Sequence, residues 1–425
     1  MIALLRLALR NLLRARRRTL LTGGTMALGT AALVLGSGVA DGISRQLVTG
    51  LVTTQTGHLQ VVARPLDFEP QNSPFDAYSQ DRLPGAVALA RAIEAEGVGL
   101  GVRSAVPLLY ARGTAIAGTR TTLASIIGID VAREHELLAA TPALAGVPLP
   151  DGDPLAVYVS ERMATKLRLQ TGDSVSFVVQ TPQGAVNSGD AVVCGVFRKG
   201  APWHENAFYV PLSAAQALLD WPGDATSVRV LLANGGSERA LRDAQAALSA
   251  LVARRAPAPV AGTRVRVETH RQAGRFFFSI IQANQTALVV LSAFLFLAAA
   301  VGVVNSMLMS VHERTREIGT VRALGMRRGV VVRMFVAEGL VLGLLSAASG
   351  LLAGASVVLY LGARGIAMNT MTLAWMAGGD HLWPVLRAAS MGRAALAIAL
   401  LSTLAALYPA RVASRLEPRE ALHHV

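Results

Sequence analysis

The sequence contains few charged residues, few aromatic residues and one cysteine. Only 16% of its 425 residues are charged and 52% are hydrophobic, which is too apolar for an ordinary soluble protein of this length. Because Cys194 is the only cysteine, no disulfide can form within the chain. A domain outside the membrane must therefore be stabilised by its own hydrophobic core.

The residues needed for several kinds of catalytic site are also missing. A P-loop needs Gly-Lys-Ser/Thr, but the only two lysines, Lys166 and Lys199, follow Thr165 and Arg198. The sequence contains no Gly-x-Ser-x-Gly elbow, and its histidines lack the spacing of metal ligands. We expect no catalytic residue, no metal site and no cofactor in this chain.

Long uncharged runs are the main feature of the sequence. A helix of about 20 apolar residues spans a bilayer, and residues 19–40, 281–311, 339–363 and 394–410 contain no charged side chain. A signal peptide is the alternative for the first run, because Gly38-Val39-Ala40 could serve as a cleavage site. The four runs together predict a polytopic α-helical membrane protein.

Arginine is concentrated beside these runs. Residues 1–18, 312–333 and 411–425 together carry +11 of the net charge of +13. Basic residues that flank apolar spans mark the cytoplasmic side of a membrane, so we expect both termini and residues 312–333 to be cytoplasmic. The arginines of 1–18 recur every four residues, which predicts an amphipathic helix in the membrane interface. This distribution argues against nucleic acid as a partner.

Residues 42–284 are soluble in character and predict an α+β domain. Alternating β-branched and polar residues predict strands, and two polar helices each begin at a serine able to cap them, Ser160 and Ser237. Loops are expected near 65–85 and 142–154. The predicted strands are 58–63, 156–160, 174–180, 191–197, 227–233 and 264–269, and the predicted helices are Ser160–Leu167 and Ser237–Val252.

Two aromatic groups of this region have predicted positions. Phe276–Phe278 precede the second apolar run, where aromatic residues often lie at the membrane interface. Trp203, His204 and Glu205 form a cluster that we expect to cap a loop rather than to bind a metal.

Residues 312–333 lie between two apolar runs and predict a short charged helix in water. Ile318, Val321 and Leu324 repeat every third residue and form one narrow apolar stripe. Gly325 stands where a helix C-cap glycine is expected. A helix this short needs a partner to pack on. A solvated loop between two membrane helices is the alternative.

The third apolar run carries glycines at regular spacing. Gly339 and Gly343, like Gly350 and Gly354, are four residues apart, which favours close contact between membrane helices. The alternative is that these glycines face lipid and have no role in helix packing. Glu338 lies one turn inside this run, and we expect it to reach the interface or to pair with an arginine of the first helix, with a proton relay as the alternative.

The run Glu313–Gly325, E-R-T-R-E-I-G-T-V-R-A-L-G, resembles the cytoplasmic coupling segment of FtsX-like ABC permeases, which include MacB-type exporters and lipoprotein-releasing permeases. Weaker resemblances to the same family lie at Gly57–Val61, at Leu169–Val175 and in the tail from Pro409. The resemblance implies that one set of residues contacts a partner ATPase. These residues are Glu313, Arg314, Thr315, Arg316, Glu317, Ile318, Gly319, Arg322, Ala323, Leu324 and Gly325.

The predicted organisation has four transmembrane helices, with a large α+β external domain inserted between the first and second. The parts are an interfacial helix 1–18, transmembrane helices 19–41, 285–311, 334–361 and 394–410, the external domain 42–284, the coupling helix 312–333, an external loop 362–393 and the cytoplasmic tail 411–425.

The resemblance implies a non-catalytic permease subunit in a bacterial inner membrane. ATP and Mg would be bound by a separate ATPase dimer, and a second permease subunit would complete the assembly. The expected function is extraction or export of a lipoprotein, lipid-linked or other periplasmic substrate, with a lipoprotein carrier or adaptor protein as external partner. The alternatives are a mechanotransducer that regulates an external cell-wall hydrolase and a membrane-anchored enzyme.

The arginine distribution leads to a test of topology. In Ser237→Cys and Thr320→Cys variants, a membrane-impermeant thiol reagent applied to intact cells should label position 237 and not position 320. The reason for this expectation is the basic charge next to residue 320, which marks the cytoplasmic side. Labelling of position 320 from outside would reverse the predicted orientation.

Overall fold

The computed structural model describes residues 10–12, 14, 16–69, 81–181, 184–198, 201–233 and 237–416. Most of the predicted interfacial helix 1–18 therefore lies outside the described residues. The helices are α1 (Arg16–Leu51), α2 (Ala86–Gly97), α3 (His135–Ala140), α4 (Glu161–Leu167), α5 (Leu212–Leu219), α6 (Glu238–Arg255), α7 (His270–Ala273), α8 (Arg275–Glu313), α9 (Thr315–Ala323), α10 (Arg328–Arg364), α11 (Met371–Ala377) and α12 (Ala388–Arg415).

Four of these helices are long and apolar enough to cross a membrane: α1, α8, α10 and α12. The chain divides into two compact units. We call the first the helical unit; it comprises Met1–Ser44, Ile281–Ile366 and Leu382–Val425. The second, the sheet unit, comprises Arg45–Ile280 and Ala367–His381.

The strands form one ten-stranded sheet and one two-stranded sheet. The larger sheet has the order β10-β1-β9-β2-β3-β8-β5-β7-β4, and β6 pairs with β2 and β7. The strands are β1 (Leu59–Pro65), β2 (Val102–Ala117), β3 (Arg120–Ile129), β4 (Ala143–Gly146), β5 (Ala156–Ser160), β6 (Ser174–Gln180), β7 (Val186–Phe197), β8 (Ala207–Pro211), β9 (Ser227–Leu232), β10 (Thr263–Thr269), β11 (Ile366–Ala367) and β12 (His381–Leu382).

The local expectations for the sheet unit hold at some positions and fail at others. Each of the six predicted strands overlaps an observed one, but β2, β3 and β8 had not been predicted, and β4 lies inside the expected loop 142–154. Ser160 caps α4, since its hydroxyl accepts a hydrogen bond from the Met163 amide at 3.4 Å. Ser237 precedes α6 without a side-chain capping bond.

One face of the large sheet is covered by helices and forms the main core of the sheet unit. Leu59, Val61 and Ala63 of β1 are fully buried in the same apolar cluster as Leu248 and Leu251 of α6. Burial of such side chains contributes about 1.5–3 kcal/mol each. The sheet unit therefore reaches its fold without a disulfide, as the single cysteine requires.

The two aromatic groups lie in the sheet unit, and the predicted interfacial position is wrong for Phe277, whereas Phe276 and Phe278 are half-buried. Phe277 is 1% exposed, and its ring lies 4.9 Å from that of Trp203, so it belongs to a protein core rather than to a membrane interface. Trp203 is also buried, and its Nε1 donates to the Thr54 hydroxyl at 2.9 Å. His204 packs edge-on against the rings of Phe197 and Tyr209.

The His204 cluster is structural rather than a loop cap. Burial and, to a smaller extent, the positive charge of the nearby Arg229 guanidinium lower the pKa of His204 to about 3. The imidazole is therefore neutral at physiological pH. Its neighbour Glu205 forms an ion pair with Arg162.

A fully buried ion pair links three distant parts of the sheet unit. Arg229 of β9 is 1% exposed and forms an ion pair with Glu134, which is completely buried. The same guanidinium donates to the carbonyl of Thr53. Thr53 belongs to a π-helical turn, Val52–Thr56, which continues α1, and π-turns often mark functional positions. The sequence feature that could have revealed this ion pair is Arg229, which lies in a strand of mostly apolar residues.

The helical unit is packed through four of the six glycines of α10, and these four, Gly339, Gly343, Gly350 and Gly354, are buried. A Cβ on Gly339 would lie 2.5 Å from that of Ala406 in α12, and one on Gly343 would overlap Ser402. On the next turns α10 meets α1, because a Cβ on Gly354 would lie 2.9 Å from the Ala31 carbonyl oxygen. Small residues allow backbones to approach this closely.

Because the glycines differ in their contacts, replacement by alanine should lower the unfolding free energy at some positions and not at others. In Gly350→Ala the new methyl group would overlap the backbone carbonyl of Ala27, so we expect a loss of about 1–3 kcal/mol in unfolding free energy. Gly302→Ala in α8 is the matched control, because no atom lies within 4 Å of its Cβ position. Unfolding of the purified chain in mixed micelles measures both. Equal stability of the two variants would contradict close packing at Gly350.

Candidate functional site

The charged segment between the second and third membrane helices is divided into three parts. Helix α8 continues to Glu313, Arg314 interrupts the helical backbone, and α9 follows. Gly325, with φ +97°, then turns the chain, and its amide donates to the Arg322 carbonyl at 3.0 Å. The predicted segment 312–333 is therefore divided among the end of α8, the short helix α9 and the start of α10, and the positive φ at Gly325 fits the glycine expected after the helix C-terminus.

Side chains on one side of α9 fix it to the helical unit. Ile318 is 5% exposed and belongs to an apolar cluster with Val331 and Phe335 of α10. Arg314 Nη1 lies 3.4 Å from Glu338 Oε2, and Glu338 is 2% exposed. Glu338 thus pairs with an arginine next to α9, rather than with one of the first helix as expected.

Two further polar contacts connect the segment to the ends of other helices. Glu313 accepts a hydrogen bond from Arg18 of α1 at 2.8 Å. Arg322 donates to the carbonyl of Leu416, directly after α12. Arg322 is half-buried, so it is not the free polar side chain that the sequence suggested. No local pattern could have revealed these partners, which lie 295 and 94 residues away in the chain.

The opposite side of α9 combines apolar and charged side chains at the surface of the chain. Of the predicted apolar stripe only Ile318 is buried, whereas Val321 is 37% exposed and Leu324 is 83% exposed. Arg316 and Glu317 are exposed beside them. The stripe therefore does not face a single partner within this chain.

The eleven predicted coupling residues fall into three groups. Thr315, Ile318 and Gly319 are buried, Arg314 and Arg322 are half-buried, and Glu313, Arg316, Glu317, Ala323, Leu324 and Gly325 are exposed.

The described part of the chain contains few groups that could carry out chemistry. Within it no group of three His, Cys, Asp or Glu residues is placed to hold a metal ion. The Cys194 thiol contacts the Val157 carbonyl at 3.2 Å, and burial raises its pKa to about 11. This thiol is therefore protonated and weakly nucleophilic at neutral pH.

Comparison with known proteins decides the family. The family described as MacB-like periplasmic core domain matches residues 19–268, more than half of the chain. The chain belongs to the FtsX/MacB-type family of ABC permeases. The family described as FtsX-like permease C-terminal matches residues 289–418, a range that includes the whole of α9, α10 and α12.

Several characterised proteins are similar to parts of this permease. The macrolide export ATP-binding/permease protein MacB of Hyphomonas neptunium is 36% identical over 145 residues, which are 34% of this chain and 19% of that protein. The pyoverdine export ATP-binding/permease protein PvdT of Pseudomonas putida is 36% identical over 132 residues, 31% of this chain and 18% of that protein. The chain thus matches about a fifth of the length of these relatives.

Two solved structures resemble the permease with low TM-scores. The periplasmic region of MacB from Actinobacillus actinomycetemcomitans has a TM-score of 0.36 and 12% identity, covering 53% of this chain and 94% of that one. The extracellular domain of the ABC-type transporter YknZ from Gram-positive bacteria has a TM-score of 0.33 and 16% identity, covering 49% of this chain and 100% of that one.

The contact between Arg314 and Glu338 predicts a strong coupling between two substitutions. Arg314→Met leaves a buried carboxylate without its partner, so we expect a loss of about 3–5 kcal/mol in unfolding free energy. Arg314→Met combined with Glu338→Met removes both charges and should recover much of that loss. Arg316→Met, at an exposed arginine, should change stability by about 0.5 kcal/mol or less. A double variant no more stable than Arg314→Met would contradict the pairing.

Proposed function

We propose that this chain is the permease subunit of an ABC exporter and that α9 with the following turn, Thr315–Gly325, transmits the motion of a separate ATPase. ATP and Mg would be bound by the ATPase dimer, and two copies of the permease would face that dimer. In this arrangement both termini and α9 lie on the cytoplasmic side of a bacterial inner membrane, and the sheet unit lies on the periplasmic side.

The observation that carries the proposal is the exposure of Leu324. A leucine that is 83% exposed, on a segment that also exposes the charged Arg316 and Glu317, is typical of the mixed apolar and polar surface of a protein interface. The buried Ile318 and the pairing of Arg314 attach the segment to α10. A push on the exposed side would therefore reach the membrane helices.

Export or extraction of a periplasmic substrate is the transport reaction that we propose. The names of the relatives, macrolide export and pyoverdine export proteins, support export rather than import. A lipoprotein or lipid-linked molecule remains within this substrate class. The four candidate membrane helices of the described chain favour a mechanical action over a closed channel formed by one subunit.

The proposed interface predicts that coupling and folding can be separated. Glu317→Lys and Leu324→Ala should leave the chain folded and inserted, because surface substitutions change stability by about 0.5 kcal/mol or less. Association with a co-expressed ABC ATPase should weaken, since a side chain partnered in an interface contributes roughly 2–5 kcal/mol. Co-purification and ATP hydrolysis in reconstituted membranes measure the effect.

Matched controls lie in the sheet unit. Leu123→Ala removes a leucine that is 82% exposed, and Asp243→Lys reverses an exposed acidic residue. Both should behave as wild type. Normal ATPase association and hydrolysis in the Glu317 and Leu324 variants would refute the coupling role of the segment. Arg322 is unsuitable for this test, because it also contacts the end of α12.

A further inference from the structure

The open edge of the large sheet is bordered by a groove that the proposed coupling function does not use. Strand β10 ends the strand order and, among the described residues, pairs with β1 alone. Beside it lies a cavity of about 750 Å³ bounded by β10, the second half of α6 and the end of β1. We call this cavity the edge groove. Its volume is within the range of ligand sites, about 300–1,000 Å³.

Hydrogen bonds with two glutamine side chains show which backbone groups of β10 face the edge groove, and these two groups are already occupied. The Val267 carbonyl accepts from Gln245 Nε2 at 2.9 Å, and the Thr269 amide donates to Gln272 Oε1 at 2.9 Å. Both atoms thus point away from β1. Because alternate residues of an antiparallel strand face the same neighbour, the amide and carbonyl of Val265 also point to the open edge. An extended chain could form a bridge with Val265 there.

The edge groove is lined by basic side chains and carries a strong positive charge. Arg64, Arg264, Arg266 and Arg275 line it, and Glu268 is the one acidic residue among the described lining residues. Glu268 is already bound, because Arg64 Nη2 donates to it at 3.1 Å and Arg64 Nε at 3.3 Å. Within the described part of the chain the other three arginines form no ion pair. The lining therefore offers a net charge of three positive units to a ligand.

The α6 wall leaves room for side chains of a ligand. Ser249 and Ala253 present small side chains on this wall, and Val252 adds an apolar surface. A strand beside β10 would direct alternate side chains to the arginines and to the α6 wall. The groove therefore suits a segment in which acidic residues alternate with apolar ones.

We propose that the edge groove binds an extended acidic segment of a partner protein, which adds to the sheet as a strand next to β10. Strand addition at a free edge is a known mode of peptide recognition, in which backbone bonds supply affinity and side-chain pockets supply specificity. A second copy of this chain is disfavoured, because pairing two β10 strands would bring Arg264 and Arg266 close to like charges. The proposal is independent of the coupling role of α9.

Binding of designed peptides to the purified full-length chain tests the proposal. The probe is a fluorescent peptide of about eight residues in which Glu and Val alternate, a length typical of a strand. One comparison peptide has Lys in place of Glu. Another keeps the sequence but is N-methylated at alternate amides, so that it cannot form strand hydrogen bonds. Only the first peptide should bind, and added salt should weaken its binding.

Substitutions in the groove should show separately how much side-chain charge and backbone hydrogen bonds contribute to peptide binding. Arg264→Glu combined with Arg266→Glu should weaken peptide binding at least about tenfold. Val265→Pro removes the edge amide, which an edge strand tolerates, and should weaken binding several-fold. Ala253→Trp fills the groove without a change of charge and should also abolish binding. Lys166→Glu combined with Arg239→Glu, two exposed residues of the sheet unit, is the charge-matched control and should bind as wild type.

Three results would overturn the proposal. Equal binding of the N-methylated peptide would reduce the effect to general electrostatic attraction. Displacement of the peptide by glycerol 1-phosphate or inorganic phosphate at comparable concentration would assign the arginines to a lipid headgroup or to a free anion. Unchanged binding in both Arg264→Glu/Arg266→Glu and Ala253→Trp would place the peptide elsewhere.

Discussion

The helical unit depends on one buried ion pair, Arg314 with Glu338. A carboxylate that is 2% exposed within α10 is costly in an apolar environment unless it is paired. Its partner lies where the chain leaves α8 and enters α9. The requirement for a counter-charge therefore fixes the start of a short helix that has little intrinsic stability of its own.

The same principle applies at a second place, in the sheet unit. There the Arg229 guanidinium satisfies Glu134 and also binds the Thr53 carbonyl in the π-helical turn after α1. A π-turn departs from regular helical hydrogen bonding, and here a buried cation fixes one of its carbonyl groups. In both units an arginine, half-buried Arg314 or buried Arg229, pairs with a buried glutamate at a point where a long helix ends.

The membrane helices and the family could be predicted from the sequence, because uncharged runs and the Glu313–Gly325 motif are local signals. The missed strand β2 contains Pro107, which usually argues against a central strand, yet this strand pairs with β3, β6 and β9. The exposure of Leu324 could not be predicted either. A periodic stripe shows that a face is apolar, but it does not tell whether the covering surface belongs to the same chain.

The pairing of β1 with β10 has a consequence for how such a protein can evolve. The first and last strands of the inserted region are neighbours, with Leu59 opposite Thr269, so the chain enters and leaves the sheet unit at almost the same point. Insertions whose ends lie close together are well tolerated. This arrangement allows the region between them to change in length or fold without a change in the distance between its two ends.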